Sequence, residues 1–337
     1  DRTSRGLGDV YKRQGFYVPD KVIKNSDLEE IMDTSDEWIQ ERTGIKERRW
    51  VEGDLTTSLM GTYASKIAIK NANISKNDID FIIFATLSPD YFFPGSGVLL
   101  QKNLQIKEVG ALDIRNQCSG FIYGLSVADQ YIKSGMYENI LVVGSEIHSG
   151  GLDKSSRGRS VSVIFGDGAG AAIVSKSNDK SEILSTHLHS EGKFAEKLAV
   201  IKPATTFWID KIIDDGDEDG EGFFPKMNGN FVFKNAVKRF EEVIFESLNH
   251  NNYTSKDIDM LITHQANLRI SQYIQKKLNI DDNNIFNNIM SYGNTTAASI
   301  PIALYEALKK NKIKRGDLVC LAAFGSGFTW ASALIRW

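Results

Sequence analysis

Cysteine is scarce in this 337-residue chain, with Cys118 and Cys320 the whole complement. One precedes a helical pattern and the other lies in the apolar run Leu318 to Ala323. Two residues in such unlike settings do not make a disulfide framework, and they fit a reducing compartment. Long apolar runs are also lacking. The longest, such as Phe81 to Leu87, fall far short of the roughly 20 residues a membrane helix needs, and no secretory signal opens the chain. Nor does charge of one sign dominate: 40 basic against 43 acidic residues leave a formal net charge of -3. That balance gives no global nucleic-acid or membrane signal, so any basic site is local. A soluble cytoplasmic protein is expected. The length exceeds one typical compact domain and predicts two halves or one large α/β unit with a well-buried core.

The opening stretch Asp1 to Gln14 (DRTSRGLGDVYKRQ) is polar, basic and without strand periodicity, whereas Gly15-Phe16-Tyr17-Val18-Pro19-Asp20 begins like the end of a strand and its turn. A foreign or disordered leader over 1–14, standing where a first strand belongs, is expected; a flexible native tail is the alternative. Beyond it the chain resembles itself. Ser75 to Ser88 (SKNDIDFIIFATLS) parallels Ser255 to Ala266 (SKDIDMLITHQA), and Gln101 to Ile106 (QKNLQI) parallels Gln275 to Ile280 (QKKLNI). Asn139 to Gly144 with Phe165 to Val174 answers to Asp317 to Ala333. A spacing this long is unlike a solenoid and predicts two fused α/β units, 15–175 and 176–337. Continuously apolar runs at Phe81 to Thr86, Ile140 to Val143, Leu261 to Thr263 and Leu318 to Ala323 suit strands covered on both faces.

Three segments carry candidate chemistry: Cys118 in Q-C-S-G-F, His264 in T-H-Q-A-N-L-R and Asn294 in Y-G-N-T-T-A-A-S. Phe121, Leu125, Ala128 and Ile132 recur at helical steps and end at Gly135, so Cys118 is placed at a helix N-terminus. Peptide dipoles there favour an anion and are expected to lower the thiol pKa. Ser119-Gly120 leaves room for a thioester whose carbonyl oxygen meets backbone N–H donors. His264 follows the apolar strand Met260 to Thr263, at the end where α/β sheets place their sites. Asn294 supplies a second neutral donor from the same half, and two neutral donors suit a developing enolate. The bland alternatives are a small buried Cys capping a helix and a hydrogen-bonded core histidine.

Across Gly15 to Trp337 the chain resembles the β-ketoacyl-acyl-carrier-protein synthase III family of condensing enzymes. The resemblance runs through D-T-S-D-E-W-I (Asp33 to Ile39), R-T-G-I (Arg42 to Ile45), C-S-G-F, F-G-D-G-A-G-A-A (Phe165 to Ala172), H-Q-A-N-L-R, G-N-T-T-A-A-S and F-G-S-G-F-T-W (Phe324 to Trp330). It implies an α/β, thiolase-like fold of two duplicated halves in a layered αβαβα architecture. It also implies a ping-pong acyltransferase: Cys118 takes an acyl group, expected to be acetyl, from coenzyme A. Malonyl-acyl-carrier-protein then decarboxylates and attacks that thioester, which initiates fatty-acid synthesis. His264 and Asn294 would stabilise the enolate, and the backbone N–H groups of Cys118 and Ser326 would hold the oxyanion.

The resemblance further implies coenzyme A contacts at Trp38, Arg42, Met227, Gly229, Asn267 and an arginine before F-G-D-G, for which spacing favours Arg159 over Arg157. Trp38 as ordinary core and the arginines as solvated loop charges remain the alternatives. A basic landing patch for the acidic carrier is implied at Lys234, Lys238, Arg269, Lys276 and Lys277. Phe93 matches an aromatic residue that limits the partner's acyl pocket in a homodimer. Tyr91 and Phe92 are bulkier than the family pattern, and Arg115-Asn116-Gln117 stand where small residues are usual. No bound cofactor or metal is implied, only acyl-coenzyme A as substrate.

Other patterns carry less. Within Asp214 to Glu221 (DDGDEDGE), Asp215, Asp217, Asp219 and Gly220 copy the first half of an EF-hand loop, but the twelfth position counted from Asp215 is Lys226, so a solvated acidic loop is expected. His187 and His189 face one way on a strand without a visible third ligand and are read as structural. Gly166, Gly168 and Gly170 lack the dinucleotide register and are ascribed to tight strand turns. A papain-like protease shares the order Cys, His, Asn but would need its own Cys signature. A non-catalytic partner subunit would normally lose the nucleophile. The main alternative is a specialised enzyme of this kind that uses a longer or unusual acyl donor in secondary metabolism.

Overall fold

The computed structural model describes residues 8–9, 13–177, 180–205 and 221–337. Residues 1–7 and 10–12 of the opening segment, and 214–220 of the acidic stretch, lie outside the described residues. The first sheet is built from β1 (Gly8–Asp9), β2 (Gln14–Tyr17), β3 (Phe81–Ala85), β4 (Gly110–Ile114), β5 (Asn139–Glu146) and β6 (Gly168–Lys176). β4, β3 and β5 run parallel in that order, β6 is antiparallel to β5, and β1 and β2 both lie antiparallel along β6. Gln14, placed by the sequence reading in the leader, is the first residue of β2 and is buried.

The second sheet repeats the pattern with β7 (Glu182–Ser190), β8 (Met260–Thr263), β9 (Leu318–Gly325) and β10 (Thr329–Arg336). β8 is parallel to β9, β10 antiparallel to β9, and β7 antiparallel to β10. The counterpart of β4 shrinks to a single parallel bridge between Leu261 and Ile285. The duplication extends to single hydrogen bonds. Gln101 Nε2 donates to the Ile106 carbonyl at 2.8 Å and Gln275 Nε2 to that of Ile280 at 3.2 Å. Asp80 receives the Asn139 N–H at 3.0 Å, as Asp259 receives that of Leu318 at 2.7 Å.

The principal helices are α1 (Asp36–Thr43), α2 (Thr57–Ala72), α3 (Ser96–Leu104), α4 (Gly120–Lys133), α5 (Gly229–His250), α6 (Leu268–Leu278) and α7 (Ser299–Lys309). Strand alternation sorts them into layers. Ile83 of β3 and Val319, Leu321 and Ala323 of β9 share one core with Phe121 and Leu125 of α4 and Ile300 and Leu304 of α7. Ile82 and Phe84 turn the other way, against Met60 of α2 and Leu100 of α3. Leu318, Cys320 and Ala322 turn outward against Phe240 of α5 and Ile274 of α6. Helices α4 and α7 are thus sandwiched between the sheets, giving αβαβα. Continuous apolarity follows, because both faces of these strands are covered.

Two expectations are corrected. Gly166, Gly168 and Gly170 do not serve tight turns: a Cβ at Gly166 would lie 2.1 Å from the Tyr292 carbonyl oxygen, and one at Gly170 2.6 Å from Pro301 of α7. They admit close packing between the halves. His187 and His189, read as structural, both meet Glu246 of α5, at 3.3 and 2.6 Å, and His250 packs on His187 with ring centroids 5.2 Å apart. Both cysteines are free and buried, as the unlike settings implied. The second correction concerns the Cys118 thiol and belongs to the site.

Candidate active site

The candidate groups collect where β5, β8 and β9 end and where α4 and α7 begin. After β4 the chain makes a 3-10 turn, Gln117–Ser119, before α4. Gln117 sits at φ 44°, a left-handed conformation that non-glycine residues seldom adopt. Cys118, in this turn, is 7% exposed. The Cys118 and Ser326 N–H groups lie where they favour a charged sulfur and oppose the rise of its pKa. Ser326 follows β9 through Gly325, where a Cβ would lie 2.6 Å from Cys118 Cβ and 2.9 Å from its sulfur. Ser119 Oγ and Thr329 Oγ1, 2.7 Å apart, pin the turn to β10.

The sequence expectation of a thiol lowered by its helix is corrected. Burial pushes Cys118 up to about 12, the Glu146 carboxylate adds to the rise, and the two N–H groups oppose it. Desolvation of a charged sulfur outweighs those donors. The resting nucleophile is therefore a neutral thiol.

Glu146 ends β5 and is fully buried. It accepts from Thr86 Oγ1 at 3.1 Å, Ser88 Oγ at 2.7 Å and the Leu87 N–H at 3.1 Å, and the Ala297 N–H also favours its charged form. Burial outweighs these donors and raises its pKa to about 7.

His264 extends β8 by one residue, its N–H donating to the Ala322 carbonyl at 2.7 Å. It is 2% exposed. Nδ1 lies 2.6 Å from Ser299 Oγ, and Nε2 is buried with no hydrogen-bond partner among the described residues. Burial, with His148 adding to it, lowers the pKa to about 3, so the ring is neutral. Asn294 is held through its backbone between Ile164 and Gly166, at 2.8 and 3.1 Å. Its Oδ1 accepts the Thr296 N–H at 2.8 Å, which leaves the amide NH2 as its donor end.

Hydrogen bonds join Thr296 to both Asn294 and His148, and Ser299 to His264, while the charge of Glu146 acts on Cys118 and that of His148 on His264 through space. Glu146, His148, Thr296 and Ser299 were missed as site residues. Ser299 lay inside a quoted motif, and Glu146 is the charged end of a buried strand. Both were signals in the sequence.

The coenzyme A candidates also gather. The guanidinium carbons of Arg42 and Arg159 lie 4.5 and 4.9 Å from the Trp38 ring centroid. Arg157 pairs with Asp153 at 2.6 Å and lies over the Phe224 ring, and Arg159 pairs with Asp33 at 3.6 Å. Met227 packs in the same cluster as Trp38 and Leu268, and Gly229 opens α5 beside it. Asn267 caps α6, accepting from the Arg269 N–H at 2.9 Å, and donates to the Arg42 carbonyl at 2.9 Å. On α5 and α6, Lys234, Lys238, Arg269, Lys276 and Lys277 are exposed. Lys238 lies 3.7 Å from Glu242 and Lys277 3.6 Å from Glu241. Phe93 is 80% exposed beside exposed Tyr91 and Phe92. No group of three or more His, Cys, Asp or Glu able to hold a metal occurs among the described residues.

A nucleophile from one half and neutral donors from the other, on this layered duplicate of α/β units, is the division of labour of a thiolase-fold condensing enzyme. The 3-oxoacyl-[acyl-carrier-protein] synthase III family model matches residues 112–192, and the model of that family's C-terminal part matches 248–337. The β-ketoacyl-[acyl-carrier-protein] synthase III of Aquifex aeolicus is 46% identical over 96% of this chain and 97% of its own. That of Clostridium tetani is 43% identical over 96% of each. The crystal structure of the Aquifex aeolicus enzyme superposes with a TM-score of 0.89 at 44% identity, over 98% of this chain and 100% of that one. The priming β-ketosynthase of the R1128 polyketide pathway gives 0.89 at 29% identity, covering 98% and 97%. The chain belongs to the β-ketoacyl-acyl-carrier-protein synthase III family and is an acyltransferase.

Proposed function

We propose that this enzyme acylates Cys118 from acyl-coenzyme A and condenses that acyl group with malonyl-acyl-carrier-protein, the opening step of fatty-acid synthesis. In the first half-reaction the Cys118 sulfur attacks the thioester carbonyl. A new S–C bond forms, the bond to coenzyme A breaks, and the thiol proton leaves with coenzyme A as its free thiol. A thiol held neutral by burial gives up its proton only as attack proceeds.

In the second, loss of carbon dioxide leaves its electron pair on the malonyl thioester as an enolate. His264 Nε2–H and the Asn294 amide donate to that oxygen. In this reading the Ser299 hydroxyl, which accepts the Gln265 N–H at 3.3 Å, turns its own proton to His264 Nδ1, and Nε2 carries the imidazole hydrogen. The carbanion attacks the Cys118 acyl carbon, and the tetrahedral oxyanion rests on the N–H groups of Cys118 and Ser326. Collapse breaks the S–C bond, and the sulfur regains a proton.

The buried, unpartnered Nε2 of His264 carries this reading, because a native interior rarely orphans such a nitrogen unless a ligand completes it. Decarboxylation supplies the carbanion, so acyl-coenzyme A is needed only as substrate and no permanently bound cofactor or metal is invoked. Trp38, Arg42 and Arg159 would receive the nucleotide end, with Met227, Gly229 and Asn267 along the pantetheine arm. Lys234, Lys238, Arg269, Lys276 and Lys277 would receive the acidic carrier. No helix among the described residues is long and apolar enough to cross a membrane, and a cytoplasmic homodimer with Phe93 at its contact fits the exposed aromatic run.

Intact mass after mixing with acetyl and longer acyl-coenzyme A, then malonyl-acyl-carrier-protein, tests the reading. A Cys118-dependent acetyl adduct cleared by the malonyl carrier supports it. Adducts only from longer or unusual acyl groups would move the enzyme to a specialised pathway, and none from a folded sample would end both.

A further inference from the structure

Asn294 is gripped from across the molecule by the loop that follows β5. The His148 and Ser149 N–H groups donate to Asp167 Oδ1 at 2.7 and 3.0 Å, which anchors this loop. The His148 ring packs on Phe165, centroids 4.5 Å apart at 31°, and Phe165 itself forms a backbone bridge with Asn294. His148 Nε2 lies 2.7 Å from Thr296 Oγ1. The same Thr296 gives its N–H to Asn294 Oδ1 at 2.8 Å.

Thr296 is at φ 50°, where a β-branched residue is a genuine outlier and persists only when its surroundings over-determine it. The hydroxyl contact to His148 and the N–H contact to Asn294 do that.

We propose that His148 is a positioning residue for the decarboxylative half-reaction: through Thr296 it fixes the Asn294 side chain so that its NH2 meets the enolate oxygen. This rests on the reading of His264 and Asn294 as enolate donors. Burial lowers His148 to about 3, so it remains a neutral hydrogen-bonding ring and brings no positive charge beside His264. A ring that merely filled space against Phe165 would be replaceable by phenylalanine, whereas a hydrogen-bonding ring would not.

The two half-reactions are measured separately, Cys118 acylation by intact mass and decarboxylation by carbon dioxide release from malonyl-acyl-carrier-protein. His148→Phe should acylate within about twofold of the native rate yet lose about tenfold or more in decarboxylation, less than outright removal of an oxyanion donor costs. His148→Gln and Thr296→Ser, which keep a polar partner, should recover most of that loss. Thr296→Val should match His148→Phe, and the double variant should be no worse than either. Native-like decarboxylation by His148→Phe, or equal losses in both half-reactions, overturns the proposal while leaving the enolate reading intact. Failure of the native protein to decarboxylate the malonyl carrier at all overturns both.

Discussion

Ser299 Oγ stands 2.6 Å from Nδ1 of His264, the contact through which the proposed reading keeps the imidazole proton on Nε2. Ser299→Ala leaves Nδ1 free to keep its own hydrogen, so Nε2 loses its donor role in part of the population. Decarboxylation should fall by about ten- to a hundredfold, with Cys118 acylation nearly unchanged. Equal losses in the two rates would show that Ser299 supports the fold and not the tautomer.

Cys118 should behave as a high-pKa thiol. Its alkylation by iodoacetamide should climb about tenfold per pH unit from 7 to 10 with no plateau, because the thiolate fraction rises that way below the pKa. Glu146→Gln removes a charge that raises Cys118, so alkylation should speed up by about threefold or more above pH 7. The two proteins should converge below pH 6, where native Glu146, with its pKa near 7, is itself protonated. A plateau near neutral pH would refute the buried-thiol account.

Two neutral histidines tie stability to pH. His148 and His264 titrate near 3 when folded and near 6.5 when unfolded, so their contribution is intact above 6.5 and is lost as pH falls toward 3. Glu146 acts oppositely: its raised pKa costs stability as pH rises from 4.5 to 7. In His148→Phe, the dependence of urea-derived stability on pH between 4 and 6 should be shallower by up to about 1.4 kcal/mol per pH unit. An unchanged slope would show that His148 takes up its proton in the folded state.

Gly325→Ala places a methyl 2.6 Å from Cys118 Cβ, which the 3-10 turn accommodates only by moving the sulfur. Acylation should drop by about a hundredfold, with a stability loss of about 1–3 kcal/mol, typical of overpacking. Circular dichroism with single-turnover acylation checks this; native acylation would mean that the turn has room to give.

Much of the architecture was legible. The apolar runs at 81–86, 140–143, 261–263 and 318–323 are strands because burial on both faces removes the alternation that would disguise them. The duplicated SKNDID and SKDID segments announced paired units, down to matched glutamine contacts. The helix after Cys118 was readable from its periodicity. What escaped the sequence were contacts that only folding creates. Glu246 and His250 reach His187 from 59 and 63 residues away, and His148 meets Thr296 across 148 residues. No local pattern encodes such pairs. The pKa of Cys118 was misjudged because a helix start is visible in the sequence whereas the depth of its burial is not. That Arg159 stacks on Trp38 whereas Arg157 lies over Phe224 required coordinates.

Helices α4 and α7 belong to both sheets at once, and this makes the doubled architecture indivisible. Each half has its own sheet and outer helices, yet its inner face is completed only by the other, so a severed half would present a broad greasy wall to water. Melting one side strips cover from its twin, and the molecule should come apart in a single concerted event. The catalytic groups, split between the halves, are then only ever assembled or dispersed together.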